Sequence, residues 1–354
     1  MCACFHVSQG LNFAPGGPFV LSPVVSSSEA NPLSLQDQRF VLFSGKGGVG
    51  KTVISSAYAL SCARRGERTL LMELNVKDKV SSFFGSSSVG SDIVEVEDNL
   101  FAVNVTPDAA LEEYGLMILK VKLIYKAVFE NRIISSFLRS IPGLNDLLML
   151  GKAYFHATEV ATDGSYVWDK VVVDAPATGH GLFFLQIPSV ITGFISSGHM
   201  YEEAKRIQDL LQDPAKTALN LVTLPEEMPV NETLMMRDEL QERMGLATTS
   251  IIANGVYPPL FSQEQYDWID EARDAVAPDS ELLGGFLDAA SFRGQRVDLQ
   301  NEYLERLENE VDLPLYYVPY HFTDRVTFPV ISKIADQLAA QISGEQEPTA
   351  LSAQ

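Results

Sequence analysis

The chain has 354 residues, enough for a single large domain carrying an insertion, and 46 acidic against 26 basic residues give it a formal net charge of -20. A surface that acidic repels nucleic-acid phosphates and anionic lipid on average, so no nucleic-acid partner is expected. Cys2, Cys4 and Cys62 are the only cysteines. They cannot build a disulfide framework or a zinc knuckle within one chain, which suits a reducing, cytoplasmic setting.

Residues 1–38 contain no Lys or Arg and are rich in Ser, Pro and Gly. That composition fits neither the basic end of a secretory signal nor an Arg-rich transit peptide. They read as a disordered extension, a misplaced start codon being the alternative. The most apolar stretches are interrupted, one by Lys120, Lys122 and Lys126 and another by Pro188, before reaching the roughly 18–20 apolar residues of a membrane span.

From Arg39 onward the sequence alternates short apolar runs with helical or turn signals. RFVLFS (39–44), TLLMEL (69–74), KVVVD (170–174), LNLVTL (219–224), SIIAN (250–254) and LPLYYV (313–318) read as strands. Near-continuous hydrophobic strands separated by helical stretches predict an α/β fold with a mostly parallel, doubly wound sheet covered on both faces. The stretch after Val105 is too long for one crossover and reads mostly helical up to Asp169. It predicts a helical subdomain over about 106–165, continued over about 181–215, within a domain spanning 39–343. Residues 344–354 are polar and acidic and read as a tail.

The sharpest chemical signal is Gly45-Lys46-Gly47-Gly48-Val49-Gly50-Lys51-Thr52, which follows the first strand and opens a helix at Val53. This is the context a phosphate-binding P-loop requires. Its glycines let backbone N–H groups turn inward, and the helix N-terminus adds a favourable dipole. Lys51 places a positive charge at the β- and γ-phosphates, and the Thr52 hydroxyl is a ligand for Mg²⁺. Asp174 ends the apolar run VVVD, which puts a carboxylate at the carboxyl end of a buried strand, where it can hold a magnesium-bound water.

Lys46, a second lysine ahead of the standard one, resembles the deviant P-loop shared by cell-division positioning ATPases, chromosome-partitioning ATPases, nitrogenase iron proteins and arsenical-pump ATPases. In that group the lysine reaches across a dimer interface to the partner's nucleotide, so the resemblance implies a homodimer closed over ATP. A solvated loop lysine is the alternative. The segment DAPATGH (174–180) resembles the second switch of the arsenical-pump/tail-anchored-protein-targeting ATPase family, and LVTLPEEMPVNET and PGLNDLLMLGKA look like its bacterial members. The likeness runs over roughly residues 39–340.

It implies a P-loop NTPase that binds ATP and Mg²⁺, hydrolyses ATP as a dimeric switch and acts on a hydrophobic or membrane-protein client. Asn254 matches the residue whose amide reads adenine in relatives, a strand-end turn asparagine being the alternative. Pro319 and Tyr320 would line the other side of the base. His180 would be a γ-phosphate sensor, or a capping or packed histidine. Glu226 and Glu227 would approach the dimer interface, or belong to a solvated acidic loop.

Two departures stand out. The cysteines that relatives use for arsenite or zinc are missing, so neither site is expected. In the first switch, Asn75 stands where relatives place an aspartate that orients the attacking water. An amide orients water without taking its proton, which leaves open an ATP-binding regulatory module with little hydrolysis. The alternative register gives the water-facing position to Glu73 or Asp78.

Overall fold

In the computed structural model, described for residues 35–74, 76–86, 88–119, 143–176, 180–275 and 280–344, an eight-stranded sheet carries helices on both faces. The strands are β1 (Phe40–Ser44), β2 (Thr69–Leu74), β3 (Val94–Glu97), β4 (Leu100–Val105), β5 (Lys170–Asp174), β6 (Thr217–Thr223), β7 (Thr248–Val256) and β8 (Leu315–Pro319). Their spatial order is β3-β4-β2-β5-β1-β6-β7-β8. Every pairing is parallel except β3 with β4.

All residues of β1, β2, β5, β6 and β8 are buried, as expected for parallel strands covered on both sides. Period-2 alternation divides them between two cores. Phe40, Leu42, Leu70, Met72, Val171 and Val173 face one side. Val41, Phe43, Leu71 and Val172 face the other, against the P-loop helix α1 (Lys51–Arg64).

Two strands depart from the sequence reading, which did not assign β3 and β4. They form a hairpin turned at Asp98-Asn99, with Asn99 at φ 60°, a conformation that asparagine tolerates better than most residues. β3 is short and only half-buried at the sheet edge, so its VEVE alternation carries little apolar signal. β7 extends further at both ends than its apolar SIIAN run.

The remaining helices are α2 (Val80–Phe84), α3 (Pro107–Leu119), α4 (Leu144–Thr158), α5 (His180–Phe194), α6 (His199–Gln212), α7 (Glu227–Met244), α8 (Gln263–Ala275), α9 (Glu281–Glu310) and α10 (Phe328–Ser343). α3 packs on α4, and α4, α5 and α6 pack on one another. Pro188 sits inside α5 rather than ending it. The 30-residue α9 and its partner α8 were not anticipated. Among the described residues no helix is long and apolar enough to cross a membrane.

Candidate nucleotide site

β5 runs between β1 and β2, so the carboxyl ends of these three strands lie side by side. In the register, Asp174 is flanked by Phe43 of β1 and Glu73 of β2. The loop after β1 and the segment after β2 therefore open at the same edge, the usual place for ligands in an open α/β sheet.

Gly45 has φ 145°, and a Cβ there would lie 2.3 Å from the Val222 carbonyl oxygen, so the loop leaves β1 against the backbone of β6. Gly50, at φ 93°, precedes the first turn of α1, and its carbonyl accepts the N–H groups of Val53 and Ile54. Between them Gly47 and Gly48 are exposed, while Val49 is buried.

The side chains of the loop converge inward. Lys51 Nζ donates to the carbonyls of Gly45 and Lys46, both at 3.0 Å, and curls over the loop that a phosphate would fill. The Thr52 hydroxyl donates to Asp174 Oδ2 at 2.7 Å. Asn254 Nδ2 donates to the Val49 carbonyl at 2.8 Å, tying the end of β7 to the loop. Pro319 ends β8 next to β7, and the following Tyr320 stacks on Tyr257 with ring centroids 4.7 Å apart.

Burial sets the electrostatics. It pushes the Asp174 carboxyl up to about 6, with the Thr52 hydrogen bond and the Lys51 charge working in the opposite direction. Burial also lowers the Lys51 ammonium from its ordinary value, partly offset by Asp174. Glu73 is pushed up to about 7, chiefly by burial; its hydrogen bond from Lys79 opposes this and the charge of Asp174 adds to it.

The structure thus gathers Gly45 through Val53, Asp174 and Asn254, with Pro319 one strand beyond Asn254. Asn75 and Ala177–Gly179 lie outside the described residues, so the first-switch position expected for Asn75 has no geometry to report. Asp78 has another task. Its Oδ1 accepts the Ser81 N–H at 3.0 Å and its Oδ2 the Val89 N–H at 2.9 Å, fixing the start of α2.

Lys46 forms an ion pair with Glu232 of α7 at 2.8 Å, a partner that nothing in the sequence singled out. Of the acidic pair expected near an interface, Glu226 meets Arg296 of α9 at 3.2 Å. Arg293 and Arg296 of α9 also lie over the Tyr257 ring, at 4.2 and 5.6 Å. The long helix therefore reaches the side of the sheet that carries Asn254.

A glycine-rich loop between a buried strand and a helix, with lysine and threonine at its end and a strand-end aspartate hydrogen-bonded to that threonine, defines a P-loop nucleotide-binding protein of the doubly wound α/β class. The sequence matches the anion-transporting ATPase family over residues 38–197 and 194–273, more than half of its length, and the chain belongs to that family. It is 29% identical over 336 residues to an ATPase of Mycobacterium tuberculosis, covering 89% of this chain and 96% of that protein. An arsenical pump-driving ATPase of Escherichia coli is 29% identical over 237 residues, 62% of this chain and 40% of the relative. A Halobacterium salinarum protein is 28% identical over 303 residues, 80% of this chain and 42% of the relative. The chain spans less than half the length of these last two relatives.

Proposed function

We propose that this chain binds Mg-ATP at residues 45–53 and hydrolyses it as a nucleotide-driven homodimeric switch in the cytoplasm. The observation that carries the reading is the Thr52–Asp174 hydrogen bond beside a Lys51 ammonium that donates to loop carbonyls. Both are resting contacts that phosphate and a cation would replace.

The donors suit magnesium. Thr52 and Asp174 offer hard oxygens, and Asp174 Oδ1 is buried without a protein partner. Magnesium, when bound with the triphosphate, neutralises charge on the β- and γ-phosphate oxygens. Lys51 adds a fixed cation at the same phosphates, and the N-terminus of α1 contributes its dipole. After donating one N–H to Val49, the Asn254 amide still has an oxygen and a second N–H with which to meet the adenine edge.

Lys51→Ala tests the assignment. Titration calorimetry with Mg-ATP should show affinity falling by about a hundredfold or more, as when the cationic side of a charge-assisted contact is removed. Unchanged affinity would end the P-loop reading.

A second reading, an ATP-binding regulatory module with little hydrolysis, is favoured by the state of the first switch. Asn75 lacks a carboxylate, and the Asp78 carboxylate is committed to the start of α2. Tight binding with negligible turnover at saturating Mg-ATP would select it.

A hydrophobic protein is the client class that the family resemblance suggests, and exposed apolar side chains such as Phe194 of α5, Trp268 of α8 and Phe286 of α9 are available to it. Polypeptides copurifying with an ATP-trapped dimer would identify it. An arsenite site is not part of this proposal, because Cys62 is buried in α1 and burial pushes its thiol up to about 11, leaving it protonated at neutral pH.

A further inference from the structure

Glu73 closes β2 and Asp174 closes β5, and the two are register partners in adjacent parallel strands. Neighbouring strands lie about 4.7–4.9 Å apart, and registered side chains project to the same face. That face is the one covered by α1, because Leu71 and Val172, two residues earlier on each strand, belong to the core on that side. Glu73 is 1% exposed and Asp174 2%.

Each carboxylate has one oxygen satisfied. Glu73 Oε1 accepts the Lys79 N–H at 3.2 Å, and Asp174 Oδ2 accepts the Thr52 hydroxyl. Among the described residues, the buried oxygens Glu73 Oε2 and Asp174 Oδ1 have no hydrogen-bond partner. Two orphaned carboxylate oxygens on neighbouring strands are an expensive arrangement unless a proton or a metal cation compensates them. The Lys51 charge offsets part of this at Asp174, while its ammonium donates to the loop carbonyls.

We propose that Glu73 is a second cation-holding residue, forming with Asp174 a two-carboxylate seat for a divalent metal that fills before nucleotide arrives. The inference rests on the nucleotide-site reading and adds to it. That reading assigns the ion only to Thr52 and Asp174. With hard oxygen donors the seat takes Mg²⁺ or Mn²⁺ rather than a thiophilic ion. It also places a carboxylate two residues before Asn75, where the first switch has lost one.

The test uses full-length protein stripped with EDTA and titrated with Mn²⁺, the free ion being read by electron paramagnetic resonance. Glu73→Gln is expected to weaken Mn²⁺ binding by about tenfold or more, the scale on which loss of a supporting group lowers metal affinity. Asp174→Asn should act similarly, and the double variant should fall short of the sum because both residues share one ion. A folded Glu73→Gln protein that binds Mn²⁺ like the parent overturns the proposal. Should Glu73→Gln fail to fold, Glu73→Asp, one methylene shorter, carries the test: weaker binding supports the seat and unchanged binding overturns it. Mg-ATP binding by the parent protein is measured alongside. If Mg-ATP binds while Mn²⁺ ignores residue 73, the seat alone fails. If Mn²⁺ depends on Glu73 and Mg-ATP does not bind, the nucleotide reading fails and the seat stands.

Discussion

Lys46 Nζ lies 2.8 Å from Glu232 Oε1, so the lysine that the family resemblance assigns to a partner's nucleotide is held by a helix of its own chain. Both side chains remain about one-third exposed, at 30% and 35%. A pair so solvated contributes only about 0.2–1 kcal/mol, little enough for a phosphate across an interface to outcompete it. Glu232→Gln should therefore tighten ATP-dependent dimerisation by roughly two- to fivefold, the equivalent of that energy. Lys46→Ala should weaken dimerisation whether or not Glu232 is present. Sedimentation equilibrium in Mg-ATP measures both, and a dimer constant indifferent to residue 232 would show that the ion pair does not restrain Lys46.

Replacing Asn75 with Asp should raise hydrolysis without much change in nucleotide affinity, because it supplies a carboxylate at the position where relatives orient water. A gain of roughly ten- to a thousandfold would correspond to partial recovery of general-base assistance. Single-turnover rates of the parent, Asn75→Asp, Glu73→Gln and Asp78→Asn decide the register. Asp78→Asn should act mainly on stability, since its carboxylate accepts the Ser81 N–H in the first turn of α2 and the Val89 N–H. A fast parent whose rate collapses in Glu73→Gln alone would move the water-facing role to Glu73.

The P-loop glycines should differ in their tolerance of alanine. At Gly45 the new Cβ would meet the Val222 backbone oxygen at 2.3 Å, and a strand cannot step aside. At Gly50 it would meet the Asn254 amide at the same distance, which a side chain can relieve by breaking its bond to Val49. At Gly48 nothing lies within 4 Å, leaving only the left-handed backbone cost of about 1–2 kcal/mol. Thermal melting should rank Gly45→Ala as most destabilising, then Gly50→Ala, then Gly48→Ala. Gly50→Ala should additionally lose adenine discrimination, read as a narrowed gap between ATP and GTP affinity.

Acid should weaken the helical part through one buried histidine. Burial in α4 lowers the pKa of His156 from its ordinary 6.5, a shift that its contact with Glu159 at 3.2 Å only partly opposes. A histidine with a depressed folded pKa is neutral in the native state and charges more readily when unfolded. Its stability contribution is present above pH 6.5 and is lost as the pH falls below that value. In urea unfolding, His156→Gln should lose less stability than the parent as the pH falls below 6.5, a difference that sets aside the opposite trend of the raised carboxyls Glu73 and Asp174. Identical acid limbs would remove His156 as a source of the acid weakening.

The sequence alone determined the P-loop, the strand-end Asp174 and the α/β class, because these depend on local patterns: glycines where the backbone must turn, a lysine and threonine at fixed spacing, and apolar runs long enough for strands. Strand order was beyond it. Nothing local in KVVVD says that β5 inserts between β1 and β2, yet that insertion sets Glu73 beside Asp174 and leaves two carboxylate oxygens facing one face of the sheet. Likewise Glu232 lies 186 residues from Lys46 and meets it only because β6 pairs with β1 and carries α7 back to the loop. Contacts between distant segments follow from how strands pair and helices pack, and a carboxylate becomes unusual only when that packing removes water from it.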